Sequence, residues 1–318
     1  MSAVDTSPPR PARRYWLWLV AIGAIALGVG GYTIWAGWKL PQPGVVPSPS
    51  SGDPRVTYET PFLNVRPEVQ YVGDAKCALC HSEHCDSFRQ HPMGRSLMPV
   101  SEMIARERYD KAAHSRFEAN GFHYVVEQRG KKMIHREELR DPQGRVVEAI
   151  EEEAVYALGS SANGRSYIIN RRGYLYQSPI SWYEQPQRWD ISPSYQQLNL
   201  HWDKPTGAAC LFCHSNQANP VPYTDNQFRE PIFQGYSIGC ERCHGPGQLH
   251  VEARDESHPR FQRVEGKIDY TIVNPRHLDP PLREAVCQQC HLQGHLRILA
   301  RGRDFWDFRP GLPLHLFY

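Results

Sequence analysis

The chain lacks a dominant charge. Its 318 residues carry 36 Lys and Arg against 34 Asp and Glu, a formal net charge of +2. A nucleic-acid binder driven by a basic field needs an excess of one sign, so no nucleic acid is expected as a partner. Long apolar runs are scarce too. The hydrophobic fraction is 40% and the mean hydropathy is −0.58, which excludes a multispan membrane protein. Uninterrupted helical or strand periodicity is short, in keeping with 27 Pro and 24 Gly. Yet 11% aromatic and 22% charged residues are unlike a disordered polymer. The expectation is a loop-rich globule. What the chain has in excess is cysteine and histidine, nine and fifteen residues.

One apolar run stands out. Tyr15–Trp38 holds 24 residues without a charge, about 36 Å of helix against a hydrocarbon core of about 30 Å. Aromatic residues sit at both ends, as interfacial belts do. Arg10, Arg13 and Arg14 precede the run and only Lys39 follows closely, which orients the N-terminus to the cytoplasm. A cleaved signal peptide is the rival reading, but its apolar region would span only about 7–15 residues. The organisation expected is a cytoplasmic tail (1–14), a transmembrane anchor (15–38), a Pro-rich linker (39–64) and an exported domain (65–318).

Eight cysteines fall into four frames, Cys77-Ala-Leu-Cys80-His81, Cys210-Leu-Phe-Cys213-His214, Cys240-Glu-Arg-Cys243-His244 and Cys287-Gln-Gln-Cys290-His291. C-x-x-C-H is the attachment signal of c-type haem. Two thiols at that spacing add to the two vinyl groups of one porphyrin, and the adjacent histidine becomes a proximal iron ligand. Zinc sites, dithiol redox motifs and disulfides also use paired cysteines. None of these requires histidine after every second cysteine. Four covalently bound haem c groups are therefore expected. The haems also supply core that the peptide does not.

The last three motifs start 30 and 47 residues apart, at 210, 240 and 287. So short a stretch cannot enclose each haem separately, so their haems should touch. The first motif stands apart. Within the intervening segment, Phe122–Gln128 alternates, Arg129-Gly130 turns, and Lys132–Glu138 follows. Asp141-Pro142-Gln143-Gly144 signals another turn, before Arg145–Ala149. Gly164–Asn170 and Gly173–Gln177 complete a meander, giving an antiparallel insert over about 115–185. His123 and His135 on these strands read as ordinary half-exposed side chains.

Four more histidines would complete bis-histidine ligation, and eleven remain after the four motifs are subtracted from fifteen. His250 follows Cys243-His244-Gly245-Pro246-Gly247-Gln-Leu, too short a span to round a macrocycle and return to its own iron, so it points to a neighbouring one. His91 directly follows the first motif, and Pro92 ends any helix there. Met93, Met98 and Met103 are alternative axial ligands or packing residues. Cys85, the odd cysteine, reads as a buried thiol.

These stretches resemble a known family. Tyr71-Val-Gly-Asp-Ala-Lys-Cys77, Phe88-Arg-Gln-His91-Pro-Met-Gly-Arg-Ser-Leu97, Cys240-Glu-Arg-Cys-His-Gly-Pro-Gly-Gln-Leu-His250-Val and Val286-Cys-Gln-Gln-Cys-His-Leu-Gln-Gly294 are similar to multihaem cytochromes of the c-554 and c-prime type. The resemblance covers roughly 70–312. It implies an α+β, loop-rich fold with short helices around stacked haem pairs, here with an antiparallel β insert and one N-terminal transmembrane helix. It also implies that His91 and His250 are distal ligands, whereas His201, His277 and His295 match no family position.

The function expected is an anchored tetrahaem electron carrier on the outer face of the cytoplasmic membrane. Its partners would be redox proteins outside the cytoplasm, and a homo-oligomer is compatible with the sequence. Two alternatives are a haem enzyme whose open iron acts on hydroxylamine, nitrite or nitric oxide, and a quinol-oxidising tetrahaem cytochrome.

Overall fold

Alternating apolar residues build the first half of the fold. A computed structural model describes residues 52–318 except 161, 263–265, 267, 293 and 295. The expected membrane anchor at 15–38 and the position of His295 lie outside the described residues. No helix among the described residues is long and apolar enough to cross a membrane.

Strands β2 (Arg116–Ala119), β3 (Phe122–Arg129), β4 (Lys132–Arg140) and β5 (Val146–Ala154) form one antiparallel sheet in sequence order. Gly130, at φ +63°, turns β3 into β4, a conformation that glycine adopts without a Cβ penalty. A second sheet has the order β1 (Leu97–Pro99), β6 (Tyr156–Leu158), β7 (Gly164–Arg171), β8 (Tyr174–Tyr183) and β9 (Arg188–Ile191). Only Val155 separates β5 from β6, so a single extended segment passes from one sheet to the other. Tyr124, Val126 and Met133 of the first sheet share a core with Tyr167, Ile180, Trp182 and Trp189 of the second.

The β region thus covers 97–191 rather than the 115–185 expected, and it has two sheets rather than one meander. The short strands β1, β6 and β9 carry too few residues to show a period. His123 is half-exposed as expected. His135 is not: it is fully buried, because its register opposite Val126 turns it into the core.

The second half is short helices and loops. Strands β10 (Ala218–Pro220) and β11 (Phe228–Phe233) form a small antiparallel pair against Leu97, Ile168, Leu175 and Leu211. Helix α1 (Pro54–Thr57) is capped by Asp53, whose carboxylate is buried between Arg55 and Arg303. Phe62 and Val65 pack with Phe308, Leu312 and Phe317. The packed body therefore begins by Asp53, and residues 53–64 belong to it rather than to a linker. The architecture is mixed α and β with antiparallel sheets.

Candidate functional site

Each C-x-x-C-H run occupies one turn of short helix. Helix α2 (Asp74–Ala78) carries Cys77, and the amides of Cys80 and His81 both reach the Cys77 carbonyl, at 3.2 and 2.9 Å. Helix α3 (Ser82–Gln90) follows at once. Helix α4 (Ala208–His214) contains Cys210, Cys213 and His214. Cys240 precedes helix α5 (Glu241–His244), with the His244 amide on its carbonyl at 3.1 Å. After α6 (Gln248–Arg254), helix α7 (Pro280–His291) ends on Cys287, Cys290 and His291. Residues i, i+3 and i+4 share one helix face, so each turn presents two sulfurs and an imidazole together. All nine cysteines are free thiols; Cys80, Cys210 and Cys287 are exposed, and Cys85 is buried.

The four turns meet through residues between their cysteines and, for the first, through the residues just before Cys77. Glu241 of the third motif is buried, and it accepts the amides of Val72, Gly73 and Gly247 at 2.9, 2.8 and 2.7 Å. Burial pushes its carboxyl pKa up, against the three amides that lower it. Asp74 in turn accepts the Cys240 amide at 2.9 Å. These bonds fasten the first motif to the third. Arg242 donates to the Phe212 carbonyl of the second motif at 2.9 Å, and Gln289 of the fourth donates to the Arg242 carbonyl at 3.0 Å.

The sulfurs pair accordingly. The Cys77 and Cys240 thiols are neighbours, and their interaction lowers the Cys77 pKa and raises that of Cys240. Cys213 and Cys290 are paired likewise: Cys213 is drawn down to about 6 by Cys290 and, against burial, by Arg297, whose guanidinium lies 3.4 Å from its sulfur. The first motif, separated in sequence, is therefore not apart in space: it rests on the third.

Histidines sort by which nitrogen is free. His244 sits next to the carbonyl of Val273, its Nδ1 at 2.8 Å. A carbonyl only accepts, so Nδ1 carries the proton and Nε2 keeps its lone pair. His250 has Nδ1 at 3.0 Å from Asp269, with the same consequence. Its ring lies 6.2 Å from that of His81 with 21° between the planes. His84 also lies 6.2 Å from His81, three residues along the same helical stretch.

His91 behaves differently. Its Nδ1 accepts the Met93 amide at 3.2 Å, so the neutral ring holds its proton on Nε2. Its ring lies parallel to Phe88, centroids 6.0 Å apart. His214 is half-buried, with its carbonyl held by Ser96 at 2.7 Å, and His291 is exposed.

Turn geometry positions His244 and His250 together. Gly245 adopts φ +73°, and a Cβ there would stand 2.7 Å from the Asn64 amide nitrogen. That nitrogen donates to the carbonyls of His244 and Pro246 at 2.9 and 3.2 Å. Reading the sequence found the Gly-Pro-Gly turn but missed Asn64, Glu241, Arg242 and Asp269, whose partners lie up to 182 residues away. No local period marks such residues.

The donor set fits haem c. Thiols come in pairs on helical turns, each followed by an imidazole, and His244 and His250 present unprotonated Nε2 atoms. Among the described residues no three His, Cys, Asp or Glu side chains converge as a zinc ion would need.

No family model and no curated protein matches the chain. Among solved structures, the crystal structure of the outer cell wall cytochrome OcwA aligns with a TM-score of 0.35 at 17% identity, covering 57% of this chain and 33% of that one. This chain thus spans about a third of the length of that cytochrome. A likeness so loose carries no argument. The c-554 and c-prime resemblance rests on the motifs alone.

Proposed function

We propose that the chain is a tetrahaem c-type cytochrome that carries electrons outside the cytoplasm, tethered by residues 15–38. The observation that carries this reading is the meeting of four C-x-x-C-H turns, the third joined to the second and fourth through residues between the cysteines and to the first through the residues just before Cys77. Cys77 and Cys80, Cys210 and Cys213, Cys240 and Cys243, and Cys287 and Cys290 would each hold one haem by thioether bonds. His81, His214, His244 and His291 would be the proximal ligands. The haems supply one-electron chemistry; the chain supplies ligands, burial and fixed charge.

His250 is the best-supported distal ligand, facing His81, and Asp269 keeps its Nε2 unprotonated. The sulfur contacts pair the first motif with the third and the second with the fourth. Such contiguity suits an electron carrier with redox proteins as partners. The full chain should contain four covalent haems by mass and show a c-type haemochrome spectrum after denaturation. A mass equal to the polypeptide alone would refute the proposal and leave two inter-motif disulfides, Cys77–Cys240 and Cys213–Cys290, as the simplest use of the paired thiols.

A second reading has one observation in its favour. His91 must give up its bond from Met93 before Nε2 can bind iron, which suits an iron with an open position and a small-molecule reaction there. A high-spin ferric EPR signal that responds to nitric oxide would support it, and an entirely low-spin spectrum would dismiss it.

A further inference from the structure

Arg242 is a buried cation with no carboxylate partner. Its residue is 6% exposed, its Nε has no hydrogen-bond partner, its Nη2 donates to the neutral Phe212 carbonyl, and its guanidinium otherwise reaches only the Cys290 thiol, a sulfur that a thioether bond would consume. The guanidinium lies 4.1 Å from the centre of the Phe212 ring. Its neighbour Glu241 does not answer the charge, being committed to three backbone amides. Among the described residues no carboxylate forms an ion pair with it. The same chain shows the usual solution elsewhere: Arg165, equally buried, meets Glu107 at 2.7 Å.

A buried charge without a partner is costly, and a cation held in such a place favours negative charge nearby. What surrounds Arg242 is the haem-attachment machinery. It lies between Cys240 and Cys243, stacks on the residue between Cys210 and Cys213, and is bonded through its carbonyl to the residue between Cys287 and Cys290. Haems attached there would bring carboxylate side chains, and each ferric iron would gain one negative charge on taking up one electron. In a medium of low dielectric a fixed positive charge acts strongly on both.

We propose that Arg242 is the fixed counter-charge of the haem cluster. It raises the reduction potentials of haems held by the second, third and fourth motifs and ligates none of them. This inference rests on the tetrahaem reading.

The test uses the purified full-length protein and its Arg242→Gln and Arg242→Lys variants, with Arg242→Met replacing Gln should that variant not mature. Mass and haemochrome spectra count the haems first. Spectroelectrochemical titration then reads the potentials. The Gln or Met variant should retain four haems and lower at least one potential by roughly tenfold in the reduction equilibrium, about 59 mV for one electron. The Lys variant should stay at wild-type values. Wild-type protein without covalent haem would sink both readings. Four haems with unshifted potentials in the neutral variant would overturn the role of Arg242 alone. So would a Lys variant that falls as far as the neutral one, since packing rather than charge would then be responsible.

Discussion

His250 donates its Nδ1 proton to Asp269 at 3.0 Å, and Asp269 is itself held by Arg254 at 2.5 Å and by the Thr271 amide at 2.9 Å. Although burial works against ionisation, these bonds keep the Asp269 carboxyl below its usual range. The carboxylate therefore fixes both the tautomer and the direction of His250. Asp269→Ala should release the ring and weaken its hold on metal by roughly 10–100-fold, the usual cost of losing such an outer partner. In the haem-loaded protein this should appear as a high-spin EPR component absent from wild type. An unchanged low-spin spectrum would show that His250 is not a ligand or does not need Asp269.

Glu241 joins the first and third motifs by three amides. Glu241→Ala strands those donors, at about 1–3 kcal/mol for each buried donor left unpaired. Chemical denaturation should register a loss of at least about 3 kcal/mol. Glu241→Gln keeps one acceptor oxygen and should lose less. Equal stability of the Ala variant and wild type would mean that water serves these amides as well.

The turn after the third motif makes a sharper test. Gly245→Ala meets two penalties, a backbone at φ +73° and ψ 179° that is open essentially to glycine and costs other residues on the order of 1–3 kcal/mol, and a Cβ 2.7 Å from the Asn64 amide nitrogen. Asn64→Ala removes the obstacle but also two hydrogen bonds to the turn. The double variant should be more stable than the sum of the single effects implies, because only the steric part is shared. Strict additivity would place the whole cost in the backbone.

Local geometry was legible in this sequence. Cysteine and histidine at C-x-x-C-H spacing suit a helical turn, so the four C-x-x-C-H turns and the Gly245-Pro246-Gly247 bend follow directly from the residues. The long strands β3, β4, β7 and β8 also show in alternation and turn residues. What could not be read is the meeting of distant segments. Nothing in Asp74 or Glu241 reveals that they join the first motif to the third by bonds between residues 166 and 168 positions apart. The register that buries His135 likewise depends on which sheet face finds a partner. Residues 53–64 misled because their prolines resemble a tether, whereas Pro54 opens a capped helix and Asn64 is buried at 0% exposure.

His135 gives the acid response of the β region. Its ring has Nδ1 at 2.8 Å from the Ser178 hydroxyl and no partner at Nε2, with Tyr167 and Trp189 edge-on at 5.0 and 5.6 Å. Glu152, paired with Arg171, stands opposite His135 on β5, and the Glu107–Arg165 pair is reached through the Tyr167 hydroxyl on Glu107. Burial pushes the His135 pKa down to about 3. In the unfolded chain the same imidazole titrates near 6.5, so the unfolded state takes the proton first as pH falls. Its contribution is complete above about pH 6.5 and erodes towards pH 3, by up to about 1.4 kcal/mol per unit. His135→Phe should flatten this part of the profile. Hydrogen exchange across β3, β4, β8 and β9 of the full chain, compared between wild type and variant at pH 7 and about pH 5, measures it. An acid loss identical in both would assign the sensitivity to other groups.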